Sequence, residues 1–210
     1  MTFMTGGHSR RRGRPRSKPP EERREEFLEA ALELFAEQGY DATSVEEICR
    51  SVGVAKGTFY LYFRNKEALA LVLRERFVEE GRARLMRLVE GWEGPLDGLI
   101  DAAIDLVFDF HYQNRSLFDL FYRRFPNEFG PGSAENRRRY VEPMARLIES
   151  AAARGEADAG DDPALFAYLI FGAVEENLYS CMSFGIPEDP DALRRAAKTF
   201  VRKALAPRPQ

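Results

Sequence analysis

The segment from Thr43 to Lys66, TSVEEICRSVGVAKGTFYLYFRNK, places hydroxyl, amine and phenol side chains on two short stretches with helical patterning. Such groups donate hydrogen bonds to phosphate oxygens and to base edges, so the chemistry they suit is nucleic-acid recognition. A capping box begins the first stretch at Thr43 or Ser44, because each has a glutamate three residues further on. Gly53 is placed at its C-cap, and a second stretch follows at about 55–62. This spacing predicts a helix-turn-helix whose second helix enters the DNA major groove.

Sequence signatures of catalysis or of a metal site are missing. The chain contains no G-x-S-x-G, H-E-x-x-H or phosphate-loop motif, and one of its two histidines lies in the N-terminal tail. Cys49 and Cys181 lack the paired spacing of a zinc site or a disulfide, and both are predicted to be small core residues. We therefore expect a protein that is not an enzyme and uses no cofactor and no metal.

Charge is divided unevenly along the chain. The formal net charge is −3, yet residues 1–66 carry 12 Lys and Arg against 10 Asp and Glu, and the remainder is net negative. This division predicts that only the N-terminal end faces phosphate. The N-terminus has no apolar signal-peptide core, and no stretch approaches the roughly 18 apolar residues of a membrane span, so we expect a cytoplasmic protein.

Apolar residues recur at helical spacing through nearly the whole chain after residue 20, which predicts an all-α fold of about nine helices. Residues 1–20 hold six basic and no acidic residues and are predicted to form a disordered arm. Three helices within 21–66 make the helix-turn-helix DNA-binding domain. A long helix to about Glu90 then leads into a second helical domain, so that the predicted C-terminal domain is 67–210.

A row of aspartates follows the break at 91–95, at Asp97, Asp101, Asp105 and Asp109. Four carboxylates at this spacing suggest a cation site. However, aspartates on one helix repel one another and lack the geometry of a metal-ligand set, so a solvated face is the prediction.

The last two predicted helices, 163–184 and 190–205, indicate self-association. The final helix has one apolar stripe and one basic face, whereas its partner is apolar nearly all round. A helix apolar on two sides must be buried on both, so one side is predicted to meet the core and the other a second subunit, giving a four-helix bundle in a homodimer. The two apolar sides of helix 163–184 are predicted to be Leu165, Phe166, Leu169, Ile170 and Ala173, and Tyr168, Phe171, Leu178, Tyr179 and Met182.

The residues G-V-A-K-G-T-F-Y-x-Y-F-x-N-K-E-A-L from Gly53, preceded by A-L-E-L-F-A-E-Q-G-Y-D-A-T-S, resemble the DNA-binding domain of TetR-type transcriptional regulators from about Phe27 to Leu73. One residue departs from the pattern, because Ala55 stands where that family often has a serine N-cap. The resemblance implies a C-terminal domain that binds a ligand and dimerises through its last two helices.

Carried over onto matching positions, the resemblance implies DNA contacts by Thr43, Lys56, Gly57, Thr58, Tyr60, Tyr62 and Lys66. Thr43 is expected to bond phosphate, Lys56 and Thr58 to reach base edges, and Gly57 to permit close approach. Tyr62 and Lys66 are expected to clamp the backbone. Core packing is the alternative for Tyr60 and is the prediction for Phe63.

Upstream, Arg12-Gly13-Arg14-Pro15 resembles the A·T-hook motif, in which arginines lie in a narrow minor groove. The alternative is a basic tail that adds non-specific attraction to phosphate.

The same resemblance implies an effector pocket lined by Phe108, His111, Phe118, Phe121, Tyr122, Met144, Tyr168, Phe171, Glu175 and Tyr179. Plain core packing is the alternative for the aromatic residues. His111 and Glu175 are sharper candidates, because a titratable group among apolar side chains needs a partner. Glu175 has a further alternative, a hydrogen bond between subunits.

Taken with the resemblance, the sequence predicts a homodimeric regulator, a repressor that a small apolar or aromatic effector releases from a palindromic double-stranded DNA operator. The alternative is an architectural DNA-binding protein with little sequence preference and no effector. Activation instead of repression is also left open.

Overall fold

The computed structural model describes residues 18–124 and 134–207, with side chains for all of these except 122–124 and 134–137. Across these residues the chain is helical and contains no strand, which confirms the predicted all-α class. The predicted minor-groove residues Arg12 and Arg14 lie outside the described residues. So does the segment 126–133, whose two glycines and two prolines predict a loop. The helices are α1 (Pro20–Gln38), α2 (Val45–Val52), α3 (Lys56–Phe59), α4 (Lys66–Glu90), α5 (Leu96–Gln113), α6 (Arg115–Phe118, continued by a π-helical turn Asp119–Arg124), α7 (Ala134–Ala153), α8 (Pro163–Phe184) and α9 (Pro190–Leu205).

The first three helices pack around one aromatic centre. Phe27 of α1 is fully buried and meets Phe59 of α3 edge-on, with 5.4 Å between ring centroids. Phe63 is also buried and lies edge-on to the Phe27 ring, with 6.3 Å between centroids, so it is a core residue. Ile48 of α2 and Leu69 of α4 complete the cluster with no exposed surface. Edge-to-face contacts add to the burial of these large rings, so a small domain gains a specific core.

Helix α2 begins in the second of the two possible registers. Ser44 is the N-cap: its hydroxyl accepts from the Glu47 amide at 3.2 Å, and the Glu47 carboxylate accepts from the Ser44 amide at 2.7 Å. Gly53 ends the helix at φ 74°, in the left-handed region that glycine adopts at little steric cost. These two caps fix the turn that leads into α3.

Helix α3 is shorter than its predicted span of 55–62. It ends at Phe59, after which Leu61 and Tyr62 donate i→i+3 hydrogen bonds of 3.2 and 2.9 Å to Thr58 and Phe59. Ala55 at its N-cap offers no side-chain acceptor, as the departure from the family pattern predicted. The chain therefore passes through a tight turn before α4.

Helix α4 joins the two parts of the molecule as one continuous helix of 25 residues, about 37 Å long at 1.5 Å per residue. Its first half buries Leu69 and Leu73 with the helix-turn-helix, and further along Phe77 stacks on Phe110 of α5 at 4.8 Å. Buried residues on both sides of the predicted boundary at 66/67 belong to one contiguous core. None of the helices among the described residues has the length and apolar character needed to cross a membrane.

Three of the four aspartates on α5 pair with the basic row of α9. Asp97 and Asp109 are exposed, as the predicted solvated face requires, whereas Asp101 and Asp105 are half-buried. Asp101 pairs with Arg202 at 3.0 Å, Asp105 with Lys198 at 2.6 Å, and Asp109 with Arg194 at 2.7 Å. The pairs form because both rows repeat every four residues on helices that lie side by side. They bind the C-terminal helix to α5.

Candidate nucleic-acid interface and interior cavity

Helix α3 exposes the side chains that the sequence placed on DNA. Lys56 and Gly57 are exposed, Tyr60 is 50% exposed, and Thr58 is half-buried. No atom lies within 4 Å of the position that a Gly57 Cβ would occupy, so the surface above this residue is open. The Tyr60 ring rests edge-on against Phe59 at 5.5 Å, which anchors it to the core while its other side faces outward. This face is available for a duplex.

Leu61 is a residue of this face that the sequence analysis missed. It is 80% exposed on the turn directly after Tyr60. An apolar side chain so exposed next to a candidate reading helix is suited to contact with a thymine methyl group. The sequence offered one signal for this exposure, because Leu61 lies between Tyr60 and Tyr62.

Lys56 is paired with a carboxylate of its own chain in the free protein. Its ammonium forms an ion pair with the Glu46 carboxylate of α2, and both side chains are about half exposed. The hydrogen bond from Lys56 lowers the pKa of Glu46, and the same bond raises the pKa of Lys56. An exposed pair of this kind contributes little to stability, so Lys56 can exchange Glu46 for a nucleic-acid acceptor.

Thr43 lies inside the domain, contrary to the predicted phosphate contact. It is 1% exposed, and its hydroxyl donates to the Gly39 carbonyl at 2.8 Å and accepts from the Gln38 amide at 3.2 Å. Its backbone amide donates to the Tyr40 carbonyl at 3.2 Å. Since both of its donors are used within the α1–α2 turn, Thr43 stabilises that turn and Ser44 takes the N-cap position.

Lys66 also points inward, contrary to the prediction that it clamps the DNA backbone. Its ammonium donates to the carbonyls of Tyr40 and Thr43 at 2.5 and 2.6 Å and lies 4.0 Å from the centroid of the Tyr40 ring. These acceptors hold the start of α4 against the α1–α2 turn. Tyr62 is half-buried with its ring 5.7 Å from Phe27, so it belongs to the edge of the core.

A cavity of about 170 Å³ lies between α4, α5, α7, α8 and α9. Three of the predicted pocket residues line it, namely Met144, Phe171 and Glu175. Its other described walls are aliphatic side chains and the ring of Tyr140, so the described lining is largely apolar with one acidic group. The lining includes Leu85, Met86, Val89, Leu99, Ile100, Ala103, Ile104, Val107, Tyr140, Pro143, Leu147, Ile148, Ile170, Val174, Val201 and Leu205.

Most of the remaining predicted pocket residues pack into the core beside the cavity. His111 is 8% exposed, its Nδ1 lies 2.8 Å from the Val107 carbonyl, and its ring meets Phe77 and Phe118 at 5.8 and 5.9 Å. None of these three rings lines the cavity. Four other predicted pocket residues also do not line the cavity. Phe108 and Phe121 are buried elsewhere in the core, Tyr179 packs on Phe118, and Tyr168 is 46% exposed. The side chain of Tyr122 lies outside the described part.

Tyr140 is the most informative lining residue that the sequence analysis missed. Its ring stacks on Phe171 with 5.7 Å between centroids, and its hydroxyl donates to the Val78 carbonyl of α4 at 3.0 Å. Burial, and secondarily the nearby Glu175, raise the pKa of this hydroxyl. Beside it, Arg139 pairs with Glu75 of α4 at 2.7 Å. Helix α7 thus contacts both the cavity and the helix that leads to the DNA-facing domain.

Glu175 is the charged residue of the cavity wall. Burial raises the pKa of its carboxyl group, an effect that the charge of His111 opposes. Glu175 is half-buried by surface area, and the other residues that line the cavity with it are largely apolar. A carboxylate held there favours a ligand group that restores its solvation.

The outer face of α8 is apolar, but its composition differs from the prediction. Leu165, Tyr168 and Leu169 are 61%, 46% and 65% exposed, and Phe200 of α9 is 49% exposed. In contrast, Phe171, Leu178 and Met182, which were assigned to one predicted side with Tyr168, are buried in the protomer. The predicted grouping is wrong because the core takes a wider arc of α8 than one stripe.

An exposed reading helix on a small aromatic core, joined by one helix to an interior cavity, defines an all-α transcriptional regulator of the helix-turn-helix class. The family model described as bacterial regulatory proteins, tetR family, matches residues 27–73. Residues 27–73 therefore carry a TetR-family domain, as the sequence resemblance indicated. Regulators of this family bind DNA and are not enzymes.

Relatives extend the similarity over most of the chain. An uncharacterised helix-turn-helix transcriptional regulator of Bacillus subtilis is 26% identical over 86% of this chain and 94% of its own length. A fatty acid metabolism regulator protein of the same organism is 27% identical over 73% of this chain and 80% of its own length. The crystal structure of a TetR-family transcriptional regulator from Pectobacterium atrosepticum superposes with a TM-score of 0.73, at 25% identity, over 90% of this chain and 97% of the other.

Proposed function

We propose that this chain is a homodimeric repressor that binds a palindromic operator and releases it when a small effector enters the cavity. The observation that carries the proposal is the continuity of α4. The same helix buries Leu69 and Leu73 with the helix-turn-helix and lines the cavity with Leu85, Met86 and Val89. A ligand in the cavity therefore contacts the helix that sets the position of the DNA-binding domain.

Release follows from a difference in ligand affinity between two conformations. Two helix-turn-helix units that enter successive major grooves sit about 34–36 Å apart. An effector that prefers another separation lowers DNA affinity by its differential binding to the two states, and operator DNA then weakens effector binding by the same factor. Tyr140 is suited to transmit the change, since it lines the cavity and bonds the Val78 carbonyl of α4.

Dimerisation is assigned to α8 and α9. The exposed residues Leu165, Tyr168, Leu169 and Phe200 supply an apolar surface on helices adjacent in the protomer. Two copies that meet through this surface form a four-helix bundle, and the two-fold symmetry of that bundle matches an inverted repeat in the DNA.

For the DNA contacts we assign base reading to Lys56, Thr58 and Tyr60 of the exposed face, with Gly57 leaving room for the duplex. Arg12 and Arg14 are proposed to extend into the adjacent minor groove. The domains proposed are the arm at 1–20, the DNA-binding domain at 21–66 and the effector and dimer domain at 67–210. The effector is proposed to be small and apolar or aromatic, in keeping with the cavity wall. The proposed place of action is the cytoplasm.

The test is selection of bound sequences from a random DNA pool by the purified full-length protein at near-physiological salt. An inverted repeat of about 15–20 base pairs, with half-sites one helical turn apart, is expected. Enrichment for A·T content without a dyad would refute the operator proposal and support an architectural role. The double variant Lys56→Ala with Thr58→Ala is expected to lose binding to the selected repeat and to retain salt-dependent binding to unrelated DNA.

A further inference from the structure

The charge of the cavity wall restricts the kind of ligand that it accepts. Glu175 is the only charged residue among the described residues that line the cavity, and no lysine or arginine is among them. A ligand carboxylate or phosphate would therefore lie in an apolar space beside an acidic group, with no lysine or arginine in the described wall and with His111 packed in the core rather than in the lining. Such an unpaired buried charge is costly, and a second like charge beside it raises the cost.

The surroundings of Glu175 suit a cation. Phe171 lies one helical turn before Glu175 on α8, and the Tyr140 ring stacks on Phe171 at 5.7 Å with 27° between the ring planes. The Tyr140 hydroxyl already donates to the Val78 carbonyl at 3.0 Å, so that proton is used on α4 rather than on the carboxylate. A carboxylate beside aromatic rings is the combination that binds ammonium groups, through an ion pair and through the negative faces of the rings.

The size of the cavity limits the rest of the ligand. Its volume is about 170 Å³, close to the roughly 150 Å³ of an apolar protein cavity that holds one benzene molecule. One ring with a short substituent fits this space, and the aliphatic residues of α4, α5 and α9 offer it apolar contacts. A long acyl chain exceeds the cavity as it stands.

We propose that the effector is a compact apolar amine or quaternary ammonium compound, whose positive group pairs with Glu175 beside Phe171 and Tyr140 while its hydrocarbon part lies among the aliphatic residues. This assignment rests on the proposed function, because it names the ligand class of the same cavity. Burial holds the pKa of Glu175 above its usual range, which is the penalty that a bound cation relieves.

The test compares three probes of nearly the same shape: phenethylamine, phenethyl alcohol and phenylacetate, which are cationic, neutral and anionic. Each is titrated calorimetrically into the full-length protein at pH 7. We expect phenethylamine to bind most tightly and phenylacetate most weakly. Glu175→Gln is expected to weaken phenethylamine binding by about 10- to 100-fold, the range of a charge-assisted hydrogen bond, and to change binding of the alcohol by less than about threefold.

The matched control is Glu149→Gln, because Glu149 is an exposed glutamate on α7, which also lines the cavity. It is expected to leave all three affinities unchanged. Tighter binding of phenylacetate than of phenethylamine, an amine affinity unaltered in Glu175→Gln, or no amine binding at millimolar concentration would each overturn the assignment.

Release of the selected operator by the same probes separates the two proposals. If phenethylamine binds through Glu175 and the operator stays bound, the ligand class stands and the effector mechanism fails. If phenylacetate releases the operator and phenethylamine does not, the effector mechanism stands and the ligand class fails.

Discussion

Replacing Tyr140 by phenylalanine tests whether the cavity communicates with α4 through one hydrogen bond. The substitution removes the 3.0 Å bond to the Val78 carbonyl and keeps the ring that stacks on Phe171. A neutral hydrogen bond contributes about 0.5–1.5 kcal/mol. The lower part of that range is expected here, because a carbonyl within a helix also accepts from the amide four residues on. If the bond differs between the DNA-bound and effector-bound states, coupling should fall by about two- to fivefold.

The assay is a thermodynamic cycle on the purified protein. Operator affinity is measured with and without a saturating effector, for the wild type and for Tyr140→Phe. For each protein, the operator affinity without effector divided by the operator affinity with saturating effector gives the coupling factor. The expected result is effector affinity within about twofold of the wild type, a smaller coupling factor, and a Tm lower by about 1–4 °C, since a chain of this size loses roughly 2–4 °C per kcal/mol.

Tyr112→Phe is the matched control. The Tyr112 hydroxyl lies 3.6 Å from the Cys181 sulfur, a contact between α5 and α8 that leaves out α4, and burial raises the pKa of Tyr112 to about 12. Its coupling factor is expected to equal that of the wild type. A coupling factor in Tyr140→Phe that matches both the control and the wild type would refute the reasoning, because the bond would then be the same in both states.

Three further substitutions test other parts of the structure. Thr43→Val should lower the free energy of unfolding by about 1–3 kcal/mol in thermal or denaturant unfolding, because the Gly39 carbonyl loses its buried donor; a selective loss of DNA affinity instead would restore the phosphate contact. Ser44→Ala should cost about 1 kcal/mol through loss of the N-cap, measured in the same way; no change would contradict the assigned register. Glu175→Gln should raise the Tm at pH 7 and match the wild-type Tm near pH 4. Burial raises the pKa of the Glu175 carboxyl group in the folded state above its ordinary value of 4.5, so the wild type loses stability as pH rises through that pKa. A Tm difference that does not change with pH would contradict this sign.

The helix order was predictable because its signals are local. Asp162 accepts from the amides of Ala164 and Leu165, and Asp189 caps α9 in the same way. Each aspartate stands before a proline and begins one of the two helices predicted at 163–184 and 190–205. A capping side chain and the amides it serves lie within three residues of each other. Such signals fix where a helix begins whatever its neighbours are.

The inward orientation of Thr43 and Lys66 was not predictable in the same way. Lys66 finds its acceptors 23 and 26 residues earlier in the chain, at the carbonyls of Thr43 and Tyr40. A basic residue after a reading helix has the right charge for phosphate, and only the packing of α4 on the α1–α2 turn brings competing acceptors within reach. The family motif gives the positions of such residues but not the partners that they choose.

The cavity was only partly predictable for a related reason. Met144, Phe171 and Glu175 line the cavity, whereas the rings around His111 close into solid core. Both groups are aromatic or apolar residues on helices of the second part, so composition does not separate them. What separates them is a set of tertiary contacts: the Phe77 ring of α4 meets Phe110, His111 and Phe121 and so closes that group into core.

The ion pairs between the charge rows of α5 and α9 also bear on the proposed dimer, because they orient α9. Each row was visible as a four-residue repeat, and the ion pairs that end in Lys198 and Arg202 show that the two rows meet. With its basic face turned to α5, α9 cannot rotate without breaking these pairs, so Phe200 is held outward, 49% exposed. Helix α8, which packs against α9, exposes Leu165 and Leu169. The electrostatic contact inside the protomer thus fixes which apolar residues remain for a second copy, and individual surface pairs of about 0–1 kcal/mol suffice because they select an orientation rather than supply the stability of the fold.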